Sequence, residues 1–149
     1  MKRIDIVKVM QVKEGEMPYD NTTVSCKEDA AKVARQFLKG ADREHFCVMC
    51  LNTKNSINSI NTVSVGSLGK CIAAPRESFK TAILSNSSAV LFFHNHPSGD
   101  PRPSTEDIKL TKILLDAGKI LDIQVHDHIV IGDHEGNFIS IREINPEIF

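Results

Sequence analysis

The feature that most constrains this chain is an abrupt change at residue 94. The apolar run Ala89-Val90-Leu91-Phe92-Phe93 leads straight into His94-Asn95-His96 and then into Pro97-Ser98-Gly99-Asp100-Pro101-Arg102-Pro103. A continuous apolar run bounded by polar residues predicts a strand covered on both faces. The prolines and the glycine that follow stop any ladder from continuing. Ser104 then opens a helix expected to reach about Ala117 and to end at Gly118. A buried strand, a polar strand end, a rigid loop and a returning helix commit the chain to an α/β design.

The flanking sequence supplies the remaining elements. Loose alternation of Ile and Val predicts a strand over residues 4–12, followed by a turn-rich connection at Gly15, Pro18, Asp20 and Asn21. Ser25-Cys26-Lys27-Glu28 has the form of a capping box. Ala31, Val33, Ala34, Phe37 and Leu38 recur at helical spacing and stop at Gly40, which predicts a helix over residues 26–39. Phe46 to Leu51 and a second run ending near Val65-Gly66 form a hairpin around Asn52 to Asn55. Pro75 starts a short helix with Phe79, Ala82 and Ile83 on its apolar stripe, up to Asn86. Two last strands are expected at Ile123 to Ile131 and Phe138 to Ile141, joined through Gly132 to Gly136. Interleaved strands and helices without internal repeats predict a mixed β-sheet flanked by helices, as one domain over residues 1–149. Residues 1–24 are expected to be an N-terminal strand or extension.

Composition removes several classes of function. The 18 Lys and Arg are scattered among 19 Asp and Glu, and a formal net charge of -1 gives no phosphate-neutralising footprint for nucleic acid. No stretch approaches the ~18 consecutive apolar residues of a membrane span. The mixed start Met1-Lys2-Arg3-Ile4-Asp5-Ile6 does not have the pattern of a signal peptide. A cytoplasmic location is the simplest expectation, and with it reduced thiols at Cys26, Cys47, Cys50 and Cys71. Cys47 and Cys50 fall in a strand, where residues three apart face opposite sides, so they are expected to be buried thiols rather than half of a zinc ribbon.

The chemistry lies at the end of the apolar strand. Residues two apart on a strand face one side, so His94 and His96 can present imidazole nitrogens to a single zinc ion. Asp107 lies three residues past Ser104 on the same helical face, and a returning helix makes it the third ligand. Two imidazoles and a carboxylate leave a fourth position for water, whose pKa zinc lowers to about 7. A hydrolytic site also needs a proton carrier. Glu44, just before the strand at 46–51, is the leading candidate, with Glu77 and Glu106 as competitors. Each piece has a plainer reading as well. Ser104 can cap its helix and Asp107 can sit near the positive end of the helix dipole, and both roles are compatible with metal binding. His126-Asp127-His128 repeats the same-face spacing, but no further ligand stands at a defined distance, so packing or support of other groups is expected of it. His45 and His134 are assigned to the surface or to packing.

His94-x-His96, seven intervening residues, Ser104, two residues and Asp107 resemble the JAMM (MPN+) metalloprotease motif at every position. The wider text resembles the RadC-like branch of that family: Arg43-Glu44-His45-Phe46, Val63-Ser64-Val65-Gly66, Pro75-Arg76-Glu77, His94 through Pro101, and Asp127-His128-Ile129-Val130-Ile131-Gly132. The resemblance covers about residues 25–143. It implies a cytidine deaminase-like MPN (JAB) fold, Zn2+ on His94, His96 and Asp107, Ser104 on the activated water or oxyanion, and Glu44 as acid and base. It also implies a peptide or protein substrate cleaved at a peptide or isopeptide bond. RadC-like proteins usually carry an N-terminal helical region, which this chain is expected to lack. The alternative that the family name brings is a DNA-repair-associated binding module without peptidase activity. The long insertions with which eukaryotic relatives grip ubiquitin are not expected either. Zinc deaminase and HNH nuclease signatures do not fit, since His-x-Glu with Pro-Cys-x-x-Cys is absent and His94-Asn95-His96 is contiguous.

Overall fold

The computed structural model describes residues 1–66 and 73–149, so Cys71 lies outside the described residues. Five strands form one sheet in the order β2-β1-β3-β4-β5. They are β1 His45–Leu51, β2 Ile57–Val65, β3 Ala89–Asn95, β4 Gln124–Ile131 and β5 Phe138–Ser140. The helices are α1 Lys27–Phe37, α2 Pro75–Leu84, α3 Thr105–Leu121 and α4 Ile141–Ile144, with a 3-10 turn at Pro146–Ile148. Only β3 and β4 pair in parallel, and every other neighbouring pair is antiparallel. The mixed sheet flanked by helices matches the fold expected from the sequence.

β1 and β3 read as unbroken apolar runs because helices cover both of their faces. Cys47, Met49, Leu51, Leu91 and Phe93 pack on one side with Ala30, Val33 and Ala34 of α1. Phe46, Val48, Cys50, Val90 and Phe92 pack on the other with Phe79 of α2 and Leu114 of α3. Cys47 and Cys50 thus enter separate cores as free thiols. Burial pushes the Cys47 thiol up to about 12 and raises that of Cys50, which keeps both unreactive.

β4 carries a bulge: Val90 of β3 pairs with Val125, while Phe92 pairs with His128. The extra residue switches the alternation, so Val125 joins the α2/α3 core and Ile129 and Ile131 join the α1 core. Residues 126 and 128 consequently lose the common face that simple alternation predicts.

Three local expectations are corrected. Residues 4–12 form no strand, and Ile4 and Ile6 are 93% and 99% exposed. Alternation alone cannot hold a strand that finds no ladder partner. The α1 N-cap is Cys26 without a side-chain cap, and the Ser25 backbone N–H instead donates to Asp29 Oδ2 at 2.9 Å. Gly118 does not end α3, which continues to Leu121 and closes on Asp122 in the left-handed conformation. Gly118 is glycine for a packing reason: a Cβ there would lie 2.6 Å from the Ile123 carbonyl oxygen and 3.0 Å from Val125 Cγ2. No helix among the described residues is long and apolar enough to cross a membrane.

In a helix interior, alanine is normally better than glycine by about 1 kcal/mol. At residue 118 the sign should reverse. Gly118→Ala is expected to destabilise the fold by about 1–3 kcal/mol through overpacking against backbone, measured by urea unfolding. A stabilised variant would show that α3 does not press this closely on β4.

Candidate metal centre

The end of β3, the start of α3 and the segment before β1 meet at one point. Phe46 pairs across from His94, so Glu44, two residues earlier, reaches the same end and face of the sheet. His94 Nε2 and His96 Nε2 are 3.0 Å apart. Asp107 Oδ1 lies 3.4 Å from the first nitrogen and Oδ2 lies 3.3 Å from the second. Glu44 Oε1 is 3.8 Å from His94 Nε2 and 3.9 Å from His96 Nε2. Taking one ligand atom from each of these four residues, all lie within 4.8 Å of one another.

Half of the cluster is sealed and half is open. His94 and Asp107 side chains are 0% and 1% exposed, while His96 and Glu44 keep 17% and 18%. Burial opposes the charge of Asp107, but its close contacts with the His94 and His96 rings outweigh it and hold the carboxyl well below the usual carboxylate range. The Asp107 contact likewise raises His96 above the ordinary imidazole value, against the opposing effect of burial.

Local structure fixes each side chain. Ser104 Oγ accepts the Asp107 backbone N–H at 3.1 Å, and the Ser104 N–H donates to Asp107 Oδ2 at 2.7 Å. This reciprocal box starts α3 and sets the Asp107 rotamer. His96 Nδ1–H donates to the Asp100 carbonyl at 2.8 Å, which in the neutral ring leaves the lone pair on Nε2. Gly99, at φ +88, makes the turn that brings Asp100 back. The Gly99 carbonyl accepts from the Asp133 backbone at 3.2 Å and from Asn137 Nδ2 at 3.0 Å. Arg35 of α1 holds that same β4–β5 connection through the Gly132 and Asn137 carbonyls, both at 3.0 Å.

Asn95, between the two histidines, faces the other way and organises the Glu44 segment. Its Oδ1 accepts the His45 N–H at 2.8 Å, and its Nδ2 donates to the Arg43 carbonyl at 3.0 Å. Asn95 has no assigned role in the sequence alone. The available signal was an amide alternating out of step with two imidazoles on a strand whose neighbours were all apolar.

The other candidates lie elsewhere. Glu77 pairs with Lys80 at 2.8 Å and Glu106 with Lys109 at 3.5 Å, both on exposed helix faces. His45 hydrogen-bonds the Arg43 carbonyl and His134 contacts Asp133 on the surface. His126 contacts Asn55 Oδ1 at 3.0 Å, whereas His128 is completely buried against His94, with burial holding its pKa well below the ordinary value.

Two imidazole nitrogens and two carboxylates form a nitrogen and oxygen donor set of the kind that suits zinc and similar divalent metals. A cleft of about 850 Å³ between α1 and the β4–β5 connection, lined among others by Tyr19, Lys32, Lys39, Asn95 and His134, meets the cluster at His96.

A family model described as the RadC-like JAB domain matches residues 24–146. A UPF0758 protein of Shouchella clausii is 49% identical over 120 residues, covering 80% of this chain and 51% of that protein. Another from Desulfitobacterium hafniense is 46% identical over 126 residues, covering 85% and 55%. A third from Desulforamulus reducens is 42% identical over 151 residues, covering 95% and 66%. The chain thus spans about half the length of most of the curated relatives it matches. With a matched region that holds the whole sheet and all four converging side chains, the chain belongs to the RadC-like JAB domain family.

Proposed function

We propose that this chain is a zinc-dependent hydrolase of the JAMM type that cleaves peptide or isopeptide amide bonds with water. The observation that carries the reading is the convergence of Glu44, His94, His96 and Asp107 within 4.8 Å, with the His96 and Glu44 side chains partly open to solvent. His94, His96 and Asp107 would hold the metal. Zinc bound there supplies a Lewis acid and lowers the pKa of a coordinated water to about 7.

The chain's own residues account for the proton transfers and the charge. Glu44 sits at the partly open side of the cluster, where its carboxylate takes the proton of the attacking water and returns it to the leaving amine. Ser104 Oγ already accepts the Asp107 N–H, so its own hydroxyl proton remains to be donated to the carbonyl oxygen as negative charge develops on it. Asn95 keeps the Glu44 segment against the strand end. The cleft that reaches His96 from the α1 side, with Lys32, Lys39 and Glu135 in its lining, would give part of a peptide of mixed charge room beside the cluster.

Metal analysis tests the ligand set. Purified wild-type protein is expected to bind zinc stoichiometrically and Asp107→Ala to lose it, and a wild type that binds no divalent metal would sink the reading. A peptide-library screen then asks for cleavage that a chelator abolishes and zinc restores. Glu44→Gln is expected to keep zinc and lose about a hundredfold or more in turnover. Unchanged turnover would remove Glu44 from the reaction. Asn95→Ala should also retain metal and lose about 10- to 100-fold, because misplacing a catalytic group by an ångström has that cost. Full activity in this variant would show that the Glu44 segment is held by other contacts.

A further inference from the structure

A line of buried hydrogen bonds runs from α3 through β4 to β3 and ends on His94. Thr111 Oγ1 donates to the Asp107 backbone carbonyl at 2.7 Å. The same oxygen is 2.7 Å from His128 Nδ1, and His128 Nε2 is 2.8 Å from His94 Nδ1. Thr111 is 1% exposed and both histidines are 0% exposed, so water does not compete for these bonds.

The direction of every bond follows from the first. A carbonyl oxygen only accepts, so it takes the single hydroxyl proton of Thr111. Thr111 Oγ1 then has only lone pairs to offer, and His128 Nδ1 must carry an N–H. With its Nδ1 proton given to Thr111, the neutral form of the His128 ring bears a lone pair on Nε2, the atom that meets His94 Nδ1. That lone pair requires His94 to donate from Nδ1. A neutral His94 with its proton on Nδ1 presents its own lone pair at Nε2, the atom 3.0 Å from His96 Nε2 and 3.4 Å from Asp107 Oδ1.

We propose that Thr111 and His128 are positioning residues that lock His94 in the Nδ1–H tautomer and hold its ring so that Nε2 faces the metal centre as a ready ligand. The proposal rests on the metal-centre reading above. The relay starts at the backbone carbonyl of Asp107, the residue whose carboxylate faces the same point. It therefore ties a ligand from β3 and a ligand from α3 to one frame. His96 achieves the same tautomer more simply, through the Asp100 carbonyl. His94 has no carbonyl in that position, because its Nδ1 looks into the layer between sheet and helix. Packing alone does not explain the arrangement: His128 lies edge-on to Phe46 at 5.5 Å, a contact that phenylalanine would satisfy equally well.

Two measurements test the relay. Long-range 15N spectra of the histidine rings in metal-free wild-type protein should show His94 protonated at Nδ1, and an Nε2–H form there would overturn the proposal. In Thr111→Val, which keeps the shape and loses the hydroxyl, His94 should become a mixture of tautomers, with zinc affinity down about 10- to 100-fold in a chelator competition. Thr111→Ser restores the hydroxyl and should return affinity close to wild type, which a purely structural role for the methyl group would not produce. His128→Phe should behave like Thr111→Val, and if it does not fold, the Val and Ser pair still decides. Zinc binding by wild type and Thr111→Val with equal affinity overturns the relay while leaving the hydrolase reading intact. A wild type without zinc affinity overturns the hydrolase reading, and the ring spectra still decide the tautomer.

Discussion

The parallel pairing of β3 with β4 is the constraint from which the site follows. Two adjacent parallel strands cannot be joined by a hairpin, so the chain must cross back over the sheet, and α3 is that crossover. A helix that returns antiparallel to β3 has its N-terminus at the carboxyl end of that strand. His94 and His96 occupy the strand end, and Ser104 and Asp107 occupy the first turn of the helix. Topology alone therefore brings two imidazoles and a carboxylate together, at the strand ends where open α/β folds place their ligands. The antiparallel neighbour β1 runs the opposite way, which delivers the residues before it, including Glu44, to that same edge.

Rigid turns translate this topology into distances of a few ångströms. The loop between His96 and Ser104 rests on the β4–β5 connection through Gly99, and that connection rests on Arg35 of α1. A helix on the face of the sheet opposite α3 thus supports the loop that leads into α3.

Much of this was legible in the sequence. β1 and β3 are readable because covered strands must be apolar throughout, and α3 because Ser104 and Asp107 announce its start. The spacing of His94, His96, Ser104 and Asp107 carries the cluster itself. What stayed hidden depends on tertiary context. Residues 4–12 alternate like a strand but have no ladder to join. Gly118 resembles a terminator and is instead the place where α3 touches the backbone beyond it. His128 and Thr111 lie 17 residues apart on different elements, and only the bulge in β4 turns His128 toward α3. Asn95 escapes a reading of the sequence because its partners are main-chain atoms, which leave its place between two imidazoles as the one visible signal.

Asp107 performs two tasks with one carboxylate: it completes the hydrogen bonding of the first turn of α3 and it faces two imidazoles. Loading the centre and securing the helix start are therefore thermodynamically linked. A cation that binds the folded chain in preference to the unfolded one adds to its stability in proportion to the logarithm of its concentration over Kd. Because the bound group leans on this first turn, the gain would be felt along the crossover helix and in the packing of β3 on β4. If the cluster holds a cation, the melting temperature would serve as a gauge of occupancy, and the cation-free polypeptide would be the looser, more protease-sensitive form.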